Sequence, residues 1–160
     1  MHFKLFVFDL DETLWSVEQS SLDPIRGPFT LIDSHEAVGT TGTVCLHAGV
    51  RSLLRAISLR SSLASLASRN ERAVCEELLG LFGIQDHFVF PQYGWEEKGQ
   101  AVLNIIRALS EFDGIEISAP DVLFIDDWPA NTEAVQKIGA STLLFGRDLR
   151  SIQELATLIG

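Results

Sequence analysis

Asp9-Leu10-Asp11-Glu12-Thr13 follows directly on an apolar run, Phe3 to Phe8, that only Lys4 interrupts. In an extended segment, residues two apart project to the same side, which brings Asp9 and Asp11 together. Two carboxylates so placed beside an apolar strand repel each other unless a cation or a shared proton intervenes. A second acidic pair, Asp126-Asp127, comes straight after Val122-Leu123-Phe124-Ile125. Acids in such a setting are costly without partners. Either one can also be read as a cap for the helix that begins after Pro129. Two acidic strand ends in one chain favour magnesium, a hard cation that takes oxygen ligands and joins carboxylates to phosphate.

Two further stretches carry the opposite chemistry. Ser68-Arg69-Asn70 ends an apolar run and opens a helical pattern, and a hydroxyl with free backbone N–H groups at a helix start is a natural seat for phosphate. Taken singly, Ser68 also reads as an ordinary turn or cap residue. Lys98 sits near the start of the next helix. The helix dipole disfavours a cation there, so Lys98 is odd as a surface charge and reasonable as an anion ligand, although a solvated lysine is the plainer alternative.

The elements that must position these residues alternate along the chain. Strand-length apolar runs occur at Phe3 to Phe8, Ser62 to Ala67, His87 to Phe90, Val122 to Ile125 and Thr142 to Phe145. Helical stripes lie between them. One runs from Val74 to Phe82, with Asn70 as N-cap and Gly83 as stop. Others span Ala101 to Phe112, Ala134 to Ile138 closed by Gly139, Leu149 to Ile159 capped by Asp148, and Ala48 to Leu59. Such alternation predicts a doubly wound α/β parallel sheet, whose ligands lie at the carboxyl ends of the strands. The stretch from Ser16 to His47 breaks the pattern. Pro24, Gly27 and Pro28, then Phe29 to Ile32, the turn Gly39-Thr40-Thr41-Gly42 and Thr43 to Leu46 predict a flap with a small β-hairpin over about residues 16–47.

In chain order the strand ends supply Asp-x-Asp, Ser, Lys and Asp-Asp. This order resembles the haloacid dehalogenase superfamily over nearly the whole length. Asp-Leu-Asp-x-Thr-Leu-Trp (Asp9 to Trp15) and Ala-Ser-Arg (Ala67 to Arg69) are most similar to its small magnesium-dependent phosphatases without a large cap. The resemblance implies that Asp9 attacks phosphorus and carries the phosphoryl group. It implies that Asp11 protonates the leaving oxygen and then deprotonates water. Asp9, Asp126 and the backbone carbonyl of Asp11 would hold Mg2+, with Asp127 acting through water or as an anchor. Ser68, Arg69 and Lys98 would bind the substrate. An aspartate at position 11 points to hydrolysis or mutase chemistry, since dehalogenases lack an acid there and ion-pumping ATPases carry threonine. The flap matches no motif of the family, so it leaves the substrate open among phosphotyrosine, a phosphosugar and another small phosphomonoester.

Composition narrows the setting. The 160 residues are 46% hydrophobic and 21% charged, which fits one folded domain over residues 1–160. The formal net charge is −10, from 12 Lys plus Arg against 22 Asp plus Glu, and such a surface repels nucleic acid and anionic membranes. It repels phosphorylated metabolites too, so a phosphate site must carry its own positive charge. Cys45 and Cys75 sit in apolar surroundings without ligand spacing, and Met1 to Phe8 is too short for a signal peptide; both fit a cytoplasmic protein. Trp15, Trp95 and Trp128 are candidates for either the entrance of the site or the core. Three other readings compete. A phospho-receiver domain orders its residues differently, with the acidic pair first. A phosphomutase or phosphotransferase usually needs a cap to exclude water. An idle phosphate-binding relative would have less reason to hold intact Asp9, Asp11, Lys98 and Asp126. Oligomeric state is not legible.

Overall fold

A computed structural model describes residues 2–159. Five parallel strands form the central sheet: β1 (Leu5–Phe8), β6 (Leu63–Ser68), β7 (Gln92–Tyr93), β8 (Val122–Asp126) and β9 (Ser141–Leu144). Their order is β7-β6-β1-β8-β9. From β1 the chain moves outward through β6 to β7, then returns to the other side of β1 for β8 and β9. The strand order therefore reverses beside β1, and its carboxyl end is where an open α/β sheet forms its crevice.

The side chains of β1 show why both faces must be covered. All four are fully buried. Phe6 and Phe8 pack into one core with α1 (Val50–Leu59), α2 (Arg72–Leu81) and α5 (Ile152–Ile159). Leu5 and Val7 enter a second core with α3 (Lys98–Asp113) and α4 (Pro129–Gln136). A strand apolar on both faces is stable only between two helical layers, as the sequence predicts. Among the described residues, no helix is long and apolar enough to cross a membrane.

Three local expectations are corrected. His87 to Phe90 is not a strand: Gln85–His87 is a turn of 3-10 helix, Phe88 makes one bridge to Ala64, and the strand proper is Gln92–Tyr93. Phe90 has φ of 45°, which breaks extension just where the apolar run is strongest. Asn70 is not the cap of α2; Glu71 holds that position, and Asn70 turns its amide toward Asp11. Asp148 does not cap α5. Its carboxylate accepts from the Leu144 N–H at 2.8 Å, and Ser151 Oγ accepts from Glu154 N–H at the helix start.

The flap is larger than a hairpin. The predicted turn and second strand are present, but β5 (Gly42–Leu46) is joined through Gly39 to Thr41 to β4 (Glu36–Val38), and the run Phe29 to Ile32 pairs with β4 instead. β2 (Trp15–Gln19) and β3 (Thr30–Leu31) extend it to a four-stranded antiparallel sheet in the order β2-β5-β4-β3. Its inner face sends Trp15, Ile25, Phe29, Ala37, Val44 and Leu46 into the first core. Polar ties fasten it as well. Phe29 N–H donates to Glu77 of α2 at 2.5 Å, and Arg51 of α1 donates to the carbonyls of Ser34 and Phe82.

Candidate active site

Asp9 is the first residue beyond β1, and its N–H donates to the Ile125 carbonyl at 3.0 Å, so the end of β1 stays locked to β8. Asp126 closes β8 with no exposed surface. Asp127 follows it, and Thr13 Oγ1 donates to its carboxylate at 3.4 Å. One oxygen from each of Asp9, Asp126 and Asp127 falls within 4.8 Å of the others.

Lys98 is turned into this cluster from the first turn of α3. Its ammonium lies 3.1 Å from Asp9 Oδ1 and 3.6 Å from Asp126 Oδ2, and it donates to the Ala67 carbonyl at the end of β6. Only 2% of the residue is exposed, which disposes of the solvated alternative. Two features of the helix start make this placement feasible. Glu97 caps α3, accepting from the Gly99 N–H at 3.0 Å. A Cβ at Gly99 would lie 2.9 Å from the Ala134 carbonyl, so glycine there lets α3 press against α4.

Asp126 is held by more than Lys98. Oδ1 accepts from the Trp128 N–H at 2.9 Å, and Oδ2 accepts from Asn131 Nδ2 at 3.1 Å. Asn131 in turn accepts from the Arg69 guanidinium at 3.2 Å. Arg69 is exposed but tied by this contact to the mouth of the crevice. Ser68 is buried beside Lys98's carbonyl partner, and its Oγ accepts from the Asn70 N–H at 3.2 Å.

The Asp11 carboxylate stands apart from the three clustered acids. Oδ1 accepts from Trp15 Nε1 at 2.7 Å and Oδ2 from Asn70 Nδ2 at 3.3 Å. It faces a cavity of about 450 Å3, lined also by Glu12, Val17, Ile25, Arg69 and Trp95. Of the three tryptophans, Trp15 belongs to the core, while Trp95 and Trp128 are exposed at 86% and 60%. The sequence does not foretell Asn131, nor the contacts of Thr13 to Asp127 and of Trp15 to Asp11. A polar residue in the first turn of a helix and a tryptophan after a turn give no chemical signal by themselves.

Burial dominates the electrostatics. It pushes Asp9 up to about 8, against the pull of Lys98 and with the push of Asp126. Asp126 is raised mainly by burial, and Asp11 likewise, opposed by the donors Trp15 and Asn70. Three acids around one lysine leave an excess of buried negative charge that a divalent cation would neutralise. The donors are all carboxylate oxygens, the set that suits Mg2+. The residues fit the metal.

Comparison with known proteins agrees with this geometry. The family model described as Acid Phosphatase matches residues 2–151. No curated protein matches the sequence. A haloacid dehalogenase superfamily hydrolase from Ehrlichia chaffeensis aligns over 99% of this chain and 96% of its own, with TM-score 0.70 and 13% identity. A predicted phosphoglycolate phosphatase from Haemophilus somnus aligns over 99% and 98%, with TM-score 0.67 and 13% identity. The 3-deoxy-D-manno-octulosonate 8-phosphate phosphatase of Moraxella catarrhalis, solved with magnesium, phosphate and its sugar acid, aligns over 99% and 86%, with TM-score 0.60 and 17% identity. At these identities the likeness is one of fold.

Proposed function

The chain belongs to the acid phosphatase family, within the haloacid dehalogenase superfamily, and we propose that it hydrolyses a phosphomonoester in two steps through Asp9, with Mg2+ as cofactor. The observation that carries this reading is the meeting of Asp9, Asp126 and Asp127 within 4.8 Å, with the Lys98 ammonium 3.1 Å from Asp9.

Asp9 is the nucleophile. It stands on a rigid strand end, where little motion is lost on reaching phosphorus. One of its oxygens bonds to phosphorus as the ester oxygen departs, leaving an acyl phosphate on its side chain. Asp11, two residues on and facing the cavity, delivers a proton to the departing oxygen. It then withdraws a proton from the water that attacks the acyl phosphate, which frees inorganic phosphate and restores Asp9. The carboxylates of Asp9 and Asp126 and the Asp11 carbonyl would hold Mg2+, with Asp127 through water or as an anchor. The metal would neutralise charge on the phosphoryl oxygens and keep Asp9 ionised at neutral pH. Lys98 offsets the remaining charge, and Ser68 with the backbone amides beside it receives phosphoryl oxygens. Arg69 draws the anionic substrate into a molecule whose surface repels it.

The magnesium and phosphate bound by the Moraxella phosphatase support the same ligand chemistry here. The 450 Å3 cavity beside Asp11 is the place for the alcohol part of the substrate, so a small phosphorylated metabolite is favoured. The test is phosphate release from p-nitrophenyl phosphate, assayed with magnesium and with excess EDTA. Turnover that requires magnesium is expected. Full activity in EDTA contradicts the metal, and no activity under any divalent ion contradicts the enzyme.

A further inference from the structure

Trp15 has a contact that packing alone does not require. The side chain is fully buried and lies 6.0 Å, ring to ring, from Phe82 at the end of α2. A tight turn delivers it there: Trp15 N–H donates to the Leu10 carbonyl, and Glu12 N–H, at φ of 62°, donates back to the Trp15 carbonyl. Its one polar atom, Nε1, donates to Asp11 Oδ1 at 2.7 Å. That is the length of a hydrogen bond to a charged acceptor.

The two oxygens of Asp11 are therefore not equivalent. Both neighbours of the carboxyl are donors, and the shorter, stronger bond makes Oδ1 the oxygen less available for a proton. The other oxygen meets Asn70 Nδ2 at 3.3 Å, a longer and weaker bond. The Asn70 amide is fixed in this sense because its Oδ1 accepts from the Glu71 N–H at 2.7 Å. Asn70 lines the 450 Å3 cavity and Trp15 does not. Oδ1 is thus bound toward the core and Oδ2 lies on the side of the departing alcohol.

We propose that Trp15 is the positioning residue for Asp11, its indole N–H pinning Oδ1 so that Oδ2 carries the proton to the leaving oxygen. The step balances: the Asp9–phosphorus bond forms, the phosphorus–oxygen bond of the ester breaks, and the Oδ2 proton moves to that oxygen. This rests on Asp11 acting as the proton donor.

The experiment compares kcat/KM for phenyl phosphate and 2,4-dinitrophenyl phosphate, two esters with the same ring. Phenolate needs a proton as it departs, and dinitrophenolate is stable without one. Trp15→Phe, which keeps an apolar ring but lacks the N–H, is expected to lower kcat/KM for phenyl phosphate about 30-fold more than for the dinitro ester, a share of the gain general acids supply. A second variant places 3-benzothienylalanine at position 15, where sulfur replaces N–H at nearly constant shape. It should show the same selective loss with an unchanged melting temperature. Asp11→Asn is measured alongside. If Asp11→Asn falls selectively on phenyl phosphate while both position-15 variants lower the two esters equally or not at all, the role of Trp15 is overturned. If Asp11→Asn itself shows no selectivity, the role of Asp11 fails instead.

Discussion

The central sheet and the flap sheet are built from strands of opposite character. β1 and β8 are buried along their whole length; β1 leads straight into Asp9 and β8 closes on Asp126. The flap has strands of two to five residues, and Leu22, Leu31 and Ile32 of the same excursion stand exposed. On the central sheet, Asp9 and Asp126 inherit the rigidity of paired, doubly covered strands, and burial raises their affinity for protons. The flap supplies Val17 and Ile25 to the wall of the cavity, and Trp15 to the support of Asp11. Charge is concentrated where the backbone is most constrained, and the shape of the cavity is left in part to residues of the flap.

The sharpest way to break this contrast is Asp9→Asn. It should cost about 10⁴-fold or more in turnover, yet near neutral pH the metal-free protein should melt no lower than the parent, because burial already keeps the Asp9 carboxyl largely protonated there. A clear loss of stability in thermal melts would show Asp9 to be structural. Lys98→Met comes next. Removing the one cation of a buried cluster leaves acids uncompensated, and about 3 kcal/mol of stability should be lost in urea unfolding, together with most of the phosphate release. Packing gives the third comparison. Leu66→Ala in β6, a fully buried site, should cost about 3 kcal/mol. Leu22→Ser in the flap, fully exposed, should stay within about 0.5 kcal/mol.

Acidity offers a gentler handle. Asp9 binds its proton more tightly in the fold than at its ordinary value of 3.8, being raised to about 8. Between those values the folded state therefore holds more protons than the unfolded one, and the metal-free protein loses stability as pH rises from about 4 to 8. Magnesium bound at Asp9 would displace the proton, so the melting temperature gained on adding it should grow with pH over that interval. A gain independent of pH would mean that the ion binds elsewhere. The smallest effect belongs to the flap: Val17→Ala should raise KM for phenyl phosphate about threefold and leave kcat within about twofold. A fall in kcat without a change in KM would put the flap in the chemistry.

The same contrast explains what the sequence could disclose. Alternation of apolar strands and helical stripes brings strand ends to one edge whatever the details, so Asp9, Asp126 and Lys98 could be expected to meet. Lys98 was conspicuous because a cation opens a helix. The flap strands were harder to read. β3 has two residues, too few for a period of two to register, and Trp15-Ser16-Val17 follows the acidic motif so closely that it reads as part of a loop. Asn131 resembles any polar residue of a first helical turn, and its bond to Asp126 depends on the approach of α4 to β8. The Asp11 carboxylate departs from simple alternation. Its hydrogen bonds to Trp15 and Asn70 hold it beside the cavity, while Asp9 belongs to the acidic cluster.

The central claim is that phosphate is carried by the side chain at the end of β1. Asp11→Asn, given p-nitrophenyl phosphate with magnesium, can be quenched in acid, trapped with borohydride and mapped by peptide mass spectrometry. The account predicts a label on Asp9 that depends on substrate and vanishes in the Asp9→Asn, Asp11→Asn double variant. A label on any other residue, or turnover that persists when Asp9 is Asn, would contradict it.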